Sequence, residues 1–211
     1  IALKSQDRQE EVIKLSHFLM KPFKTSSSTV IKLLAKPDAL AMRIYDKIGV
    51  RFVTHSLFDS FQVIRFLVRE NLISFPHIMP DQSSNNLYPV ELFLQVCDGL
   101  EKTGLKSDEE VEKYFFEQLE ISGATSLFRK VNEQSASDFR FIKFISRKLI
   151  RIFPQEAREE FSFFYPFEVQ IMDQRSYEKT TAGPTEHNAY KERQRLAARS
   201  RLFPVGSEAQ I

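Results

Sequence analysis

The pattern of hydrophobic and polar positions predicts a protein that contains both helices and strands. Apolar residues recur at helical spacing over residues 7–20 and again over 59–72, so both segments are predicted to be amphipathic helices. Residues 45–54 are rich in β-branched and aromatic side chains, which indicates a buried strand with polar ends. The first third of the chain therefore includes a strand followed by a helix.

A short helix is predicted directly after a serine-rich turn at 25–28. The segment T-V-I-K-L-L-A-K at 29–36 has helical character, and Pro37 should end it. Ser28 and Lys32 would share one face of this helix, because residues four apart are neighbours on a helix surface. Lys24 would lie on the same face if the helix began earlier.

The middle of the chain has a different character. Turn-forming residues dominate 76–86, and two helices are predicted at about 88–102 and 107–121, the second opened by the cap sequence S-D-E-E. We interpret about 78–135 as a helical insert within a single domain that spans residues 1–211.

Two strands and a helix are predicted after the insert. Residues 139–152 alternate apolar with basic side chains, and residues 163–173 form a second strand with Glu168 and Gln170 on one face. Pairing of these strands would place Glu168 beside a cationic surface, and residues 187–201 should form a closing helix. The predicted fold class is thus α+β.

Composition narrows the class of protein. Lys plus Arg exceed Asp plus Glu by only two, which excludes the strong basic bias of a protein that coats nucleic acid. The single Cys97 excludes an internal disulfide and a multi-cysteine zinc site, and it is expected to be a buried apolar residue. No apolar run approaches the ~18 residues of a membrane span. A soluble cytoplasmic protein without a membrane partner is expected.

Two carboxylates and several cations are the candidate chemistry. Asp46 and Glu168 could hold a magnesium ion, since that ion is bound by one or two carboxylates together with substrate phosphates. Lys24, Lys32 and Arg51 could bind triphosphate oxygens. For Asp46 and for each cation taken alone, a solvated surface charge is the more common explanation, whereas Glu168 among apolar neighbours would have to be paired or desolvated. Their combination indicates phosphoryl transfer.

Four separated motifs resemble one known family. They are K-T-S-S-S-T-V-I-K at 24–32, D-K-I-G-V-R-F-V at 46–53, E-V-Q-I at 168–171 and E-H-N-A-Y-K at 186–191. In this order the motifs resemble the synthetase domain of the RelA/SpoT family, which makes the alarmones pppGpp and ppGpp. The family positions matched by this sequence are Lys24, Ser28, Lys32, Asp46, Arg51, Glu168, Gln170, Glu186, His187, Tyr190 and Lys191.

The resemblance implies a nucleotidyltransferase-like mixed β-sheet flanked by helices, with Mg²⁺ as cofactor. It also implies transfer of pyrophosphate from ATP to the 3′-hydroxyl of GDP or GTP, as in the stringent response. Asp46 would bind the metal, and Glu168 would bind the metal and activate the attacking hydroxyl. Phe139 would stack on the guanine, where the family usually has Tyr. The cations that follow Phe139 and would face the nucleotide are Arg140 and Lys143.

Several departures from the family pattern keep other functions open. Pro22 stands where the family has Arg, and Met172 and Asp173 stand where the family has Arg-Thr. One alternative is the same fold with another acceptor, such as a tRNA 3′ end or an adenosine nucleotide. A second alternative is a non-catalytic module that binds nucleotides or a partner protein. Assembly as a homo-oligomer is compatible with each of them.

Overall fold

The computed structural model of the protein describes residues 1–5, 12–36, 40–104, 107–122, 140–154, 159–181 and 187–203. The strands in these ranges are β1 (Ala2–Lys4), β2 (Val12–Lys21), β3 (Gly49–Thr54), β4 (Ile78–Asn85), β5 (Ile142–Ile152) and β6 (Phe161–Asp173). The α-helices are α1 (Ser26–Ala35), α2 (Asp59–Arg69), α3 (Val90–Thr103), α4 (Asp108–Ser122), α5 (Gln174–Thr181) and α6 (His187–Leu202).

One mixed sheet organises the fold. Its strand order is β1-β2-β3-β6-β5-β4, in which β3 and β6 run parallel and the other neighbouring strands are antiparallel. The predicted α+β class, a mixed sheet flanked by helices, is therefore confirmed. The predicted pairing of the two late strands is confirmed as well, since β5 and β6 pair along their whole length.

Two predictions of secondary structure were wrong. Residues 12–21, predicted to be helical, form β2, which pairs with β1 on one side and β3 on the other. Residues 12–14 pair with β1 and residues 15–21 pair with β3, and such tertiary pairing overrides the local helical period. Residues 78–85, predicted to be turns, form β4 at the edge of the sheet. The register shift between Met79 and Ser84 accommodates Pro80, which cannot donate a backbone hydrogen bond.

The main core lies between one face of the sheet and α2. Phe52 of β3, Phe144 of β5 and Val169 of β6 pack there against Val63 and Phe66 of α2. Because side chains alternate along a strand, the neighbouring residues of β3, β5 and β6 point to the opposite face. That opposite face carries the polar candidates.

A second hydrophobic cluster joins α3 and α4 to the end of the sheet. Phe115 and Leu119 of α4 are buried against Leu57 and Tyr88, and Ile142 of β5 packs against the same cluster. The two predicted middle helices are thus confirmed. Residues 78–85, by contrast, belong to the sheet, and the assignment of about 78–135 as an insert stays a prediction.

Local sequence explains where α4 begins. The Ser107 hydroxyl accepts a hydrogen bond from the Glu110 N–H, and the Glu110 carboxylate accepts one from the Ser107 N–H, each at 3.2 Å. This reciprocal capping box was expected from S-D-E-E. Cys97 on α3 is exposed, so its prediction as a buried residue was wrong. It occupies the solvent-facing side of its helix. In the described ranges, every helix is too short or too polar to cross a lipid bilayer.

Candidate active site

Asp46 lies between two lysines in the turn that precedes β3. Lys24 Nζ is 2.6 Å from Oδ2 of Asp46, and Lys32 Nζ is 2.9 Å from Oδ1. The side chain of Asp46 is 18% exposed and that of Lys24 only 9%. These three residues therefore form a partly desolvated ion cluster, which we call the Lys-Asp-Lys cluster (Lys24, Lys32 and Asp46).

The start of α1 positions the two lysines. Thr25 is the N-cap of α1, and its hydroxyl accepts a hydrogen bond from the Ser28 N–H at 3.3 Å. Lys24 precedes the cap and Lys32 lies in the last turn, yet both reach the same carboxylate. The hydroxyl of Ser28 bonds to Thr25 at 2.8 Å, so Ser28 supports the cap in this structure.

The electrostatics of this cluster follow from burial and proximity. Burial alone would raise the pKa of Asp46, but the two ammonium groups outweigh it and hold that pKa well below its ordinary value. Burial lowers the pKa of Lys24, and repulsion from Lys32 acts in the same direction. The hydrogen bond to Asp46 opposes that shift.

A second polar group lies on the adjacent strands. Arg51 Nε donates to Gln170 Oε1 at 2.9 Å, and Gln170 Nε2 donates to Glu168 Oε1 at 3.1 Å. Lys143 Nζ lies 3.9 Å from Glu168 Oε2. We call these four residues the strand network. It joins β3, β6 and β5 on the face opposite α2.

Strand register explains this network. Arg51 pairs with Gln170 in the parallel β3–β6 ladder, and Lys143 pairs with Gln170 in the antiparallel β5–β6 ladder. Glu168 pairs with Gly49. Burial lowers the pKa of Arg51, while the attraction of Glu168 opposes that shift. Glu168 is therefore paired, as its apolar sequence neighbours require.

The backbone places the two groups side by side. The Glu168 N–H donates to the carbonyl of Ile48 at 2.9 Å, and Asp46 lies only two residues before Ile48. A site at the start of β3 that combined both groups would contain two carboxylates and the cations Lys24, Lys32, Arg51 and Lys143. Direct coordination of one metal ion by both carboxylates stays a prediction.

The donor set determines what kind of metal site these residues could form. Among the described residues, no group of three His, Cys, Asp or Glu side chains could hold a metal ion. Two carboxylates fit Mg²⁺ when phosphate oxygens and water complete its coordination. Asp46 and Glu168 therefore fit a metal that arrives with a polyphosphate, and they do not form a complete protein cage.

The other predicted nucleotide contacts belong to the segment before β5 and to α6, or lie outside the described residues. Arg140 precedes β5, and its Nη1 donates to the Asn86 carbonyl at 3.2 Å. Lys191 is exposed on α6, which packs against α1. Phe139 and Glu186 lie outside the described residues, as do the side chains of His187 and Tyr190.

Sequence reasoning missed two features of the site. The rings of His17 and Tyr177 lie 4.9 Å apart, and Tyr177 is close enough to Arg51 to act on it electrostatically. Helix α5 brings Tyr177 there, and nothing in the local sequence signals it. A Cβ at Gly49 would lie 3.8 Å from Cβ of Glu168. Glycine thus leaves space beside this carboxylate, and the D-K-I-G-V-R motif could have signalled it.

The similarity of this chain to known proteins lies in its structure. Neither a protein-family model nor a curated protein matches this chain. Small alarmone synthetase 1 from Bacillus subtilis, bound to its product pppGpp, is 13% identical, with a TM-score of 0.46 over 89% of this chain and 72% of that one. Small alarmone synthetase 2 from Bacillus subtilis is 13% identical, with a TM-score of 0.41 over 89% of this chain and 74% of that one.

A GTP pyrophosphokinase family protein from Streptococcus pneumoniae is 12% identical, with a TM-score of 0.42 over 89% of this chain and 70% of that one. The TM-scores of these three structures are all below 0.5, and their identities to this chain are 12–13%.

Proposed function

We propose that the protein transfers pyrophosphate from ATP to the 3′-hydroxyl of GDP or GTP. The observation that supports this most is the Lys-Asp-Lys cluster beside Glu168, because it combines phosphate-binding cations with two carboxylates. Phosphoryl-type transfer depends mainly on positioning and on stabilising negative charge, which these groups can supply.

The proposed reaction assigns a distinct task to each group. Lys24, Lys32 and Arg51 bind triphosphate oxygens and hold the chain of phosphates across the start of β3. Asp46 and Glu168 are the residues that would hold Mg²⁺, which supplies Lewis-acid stabilisation of charge on the phosphate oxygens.

Glu168 also serves as the general base in this proposal. Its carboxylate accepts the proton of the acceptor 3′-hydroxyl, whose oxygen bonds to the β-phosphorus of ATP. The bond between that phosphorus and the α–β bridging oxygen breaks, and AMP leaves. Lys143, whose Nζ is 3.9 Å from Glu168 Oε2, is the cation that would bind acceptor oxygens beside this carboxylate.

Labelled transfer tests the proposal directly. Purified protein would be incubated with magnesium and γ-labelled ATP, and GDP, GTP, ATP and bulk tRNA would be offered separately as acceptors. We expect label on GDP or GTP together with release of AMP. The Glu168→Gln variant should lose this transfer, whereas Glu117→Gln, an exposed substitution on α4, should retain it.

The other outcomes discriminate between the alternatives. Label on tRNA or on an adenosine nucleotide would show that the acceptor is not a guanosine nucleotide. The type of reaction, transfer of phosphate groups from ATP, would stay as proposed. No transfer to any acceptor, with nucleotide binding retained, would indicate a non-catalytic nucleotide-binding module.

A further inference from the structure

Both carboxylate oxygens of Asp46 accept hydrogen bonds from lysine ammonium groups. Lys24 donates to Oδ2 at 2.6 Å and Lys32 to Oδ1 at 2.9 Å, with the three side chains 9 to 27% exposed. These hydrogen bonds between ionised groups are stronger than neutral ones. A divalent cation that approaches Asp46 therefore meets two ammonium groups before it can reach an oxygen.

The charge balance around Asp46 favours an anion instead. Lys21 Nζ donates to the backbone carbonyl of Asp46 at 3.2 Å, so three ammonium groups contact this residue, two at its carboxylate and one at its backbone. Two unit charges 4 Å apart interact by about 4 kcal/mol near a protein surface, so the excess of positive charge matters here. A chain of phosphates could bind Lys24 and Lys32 and draw them away from the carboxylate.

We propose that polyphosphate and the Asp46 carboxylate compete for Lys24 and Lys32, so that Asp46 becomes open to a divalent cation only after phosphates have taken these lysines. The identity of the anion as a nucleoside triphosphate rests on the proposed function. The competition itself requires no transfer of pyrophosphate.

The local structure allows this exchange without rebuilding the turn. Lys21 holds the backbone of Asp46 through its carbonyl oxygen, and the start of α1 is fixed by the Thr25 cap. Lysine side chains are flexible, so the ammonium groups can move while the turn and the helix stay in place. Polyphosphate binding and metal binding at Asp46 are therefore coupled.

Binding of metal-free sodium tripolyphosphate in EDTA gives the first test. Calorimetry at fixed ionic strength should show tighter binding to Asp46→Asn than to the unmodified protein, by between about 5-fold and 150-fold, the range typical of coupled sites. Asp98→Asn on α3 changes the net charge equally at an exposed position and should change affinity little. Equal or weaker binding by Asp46→Asn would overturn the proposal.

Mn²⁺ binding, followed by electron paramagnetic resonance without any phosphate, gives an independent test. Lys32→Met should bind Mn²⁺ more tightly than the unmodified protein, and adding Asp46→Asn should abolish the gain. Lys113→Met, an exposed substitution on α4, is the matched control. Mn²⁺ affinity in Lys32→Met equal to that of the unmodified protein would contradict the competition.

These measurements separate the competition from the reaction. Competition without any pyrophosphate transfer would uphold this inference and reject the proposed function. Transfer to GDP or GTP, combined with unchanged tripolyphosphate binding by Asp46→Asn, would uphold the proposed function and reject the competition. Near-UV circular dichroism of each variant establishes that the changes in affinity come from folded protein.

Discussion

Gln170 connects a buried guanidinium to the candidate general base, and its replacement by Leu tests the strand network. Gln170→Leu keeps the approximate size of the side chain and removes both hydrogen bonds, the one from Arg51 at 2.9 Å and the one to Glu168 at 3.1 Å. Arg51 would then lose the acceptor of its Nε–H in a setting where burial already disfavours its charge.

The expected cost follows from these two bonds. Hydrogen bonds to charged groups contribute about 1.5–3 kcal/mol each, and the partial exposure of Gln170 and Glu168 reduces that figure. We therefore expect Gln170→Leu to lower the free energy of unfolding by about 2–3 kcal/mol. Gln62→Leu, at an exposed position of α2, should change it by less than about 0.5 kcal/mol.

The transfer assay separates orientation from stability. If Gln170 orients Glu168, Gln170→Leu should lower kcat by about 100-fold, the cost of a small misplacement of a catalytic group. The loss should be much smaller in a Glu168→Gln background, because residues that act as a unit are not additive. Gln170→Glu would retain an acceptor for Arg51 but would place a second carboxylate beside Glu168, and the repulsion between the two carboxylates should prevent full recovery of stability as well as of kcat.

Urea unfolding and measurement of kcat on the same preparations would test whether Gln170 stabilises the protein and whether it orients Glu168. If Gln170→Leu matched Gln62→Leu in stability and the unmodified protein in kcat, the hydrogen-bonded chain would have no energetic role. Additive losses of kcat in the double variant would show that Gln170 acts independently of Glu168.

Three further predictions concern stability. Gly99→Ala, inside α3 with open space around it, should raise the free energy of unfolding by about 0.5–1 kcal/mol. Gly104→Ala, at φ 70° after α3, should lower the free energy of unfolding by about 1 kcal/mol. Changes of the same sign for both variants in urea unfolding would contradict this. Leu119→Ala, fully buried, should cost about 2–5 kcal/mol, and Leu94→Ala, 54% exposed, far less; equal costs would show that α4 does not share the core. Lys24 and Lys32 keep the pKa of Asp46 below 3.8. The unmodified protein should therefore exceed Asp46→Asn in free energy of unfolding by a constant amount above about pH 5, and this difference should shrink as pH falls below 3.8. A difference that shrank between pH 7 and 5 would refute the ion cluster.

The sequence predicted the segments whose local pattern and tertiary environment agree. Helix α2 has one apolar face and packs that face on the sheet, and the alternation in β5 and β6 matches their two faces. The pairing of Glu168 with a cationic strand followed from that alternation, because side-chain direction in a strand is fixed by position.

The remaining features depend on partners far away in the chain. Residues 12–20 carry a spacing that suits a helix, but among residues 13–21 only Leu15 is buried, and pairing with β1 and β3 decides the conformation. The exposure of Cys97 depends on which side of α3 faces α4. The sequence motifs predicted that Lys24, Lys32 and Asp46 would lie near one another. They did not predict that both lysines would form ion pairs with the Asp46 carboxylate.

The parallel pairing of β3 with β6 has a consequence for how the protein is made. Arg51 and Gln170 are separated by 119 residues, whereas β3 meets its other neighbour β2 within the first 54 residues of the chain. During synthesis one edge of β3 must wait, unpaired, until the ribosome has delivered β6, and such an open edge invites pairing with other chains. The Lys-Asp-Lys cluster can form early, because its members come from neighbouring elements. The strand network must form late, so the ion cluster around Asp46 can be in place in a nascent chain before Gln170 links Arg51 to Glu168.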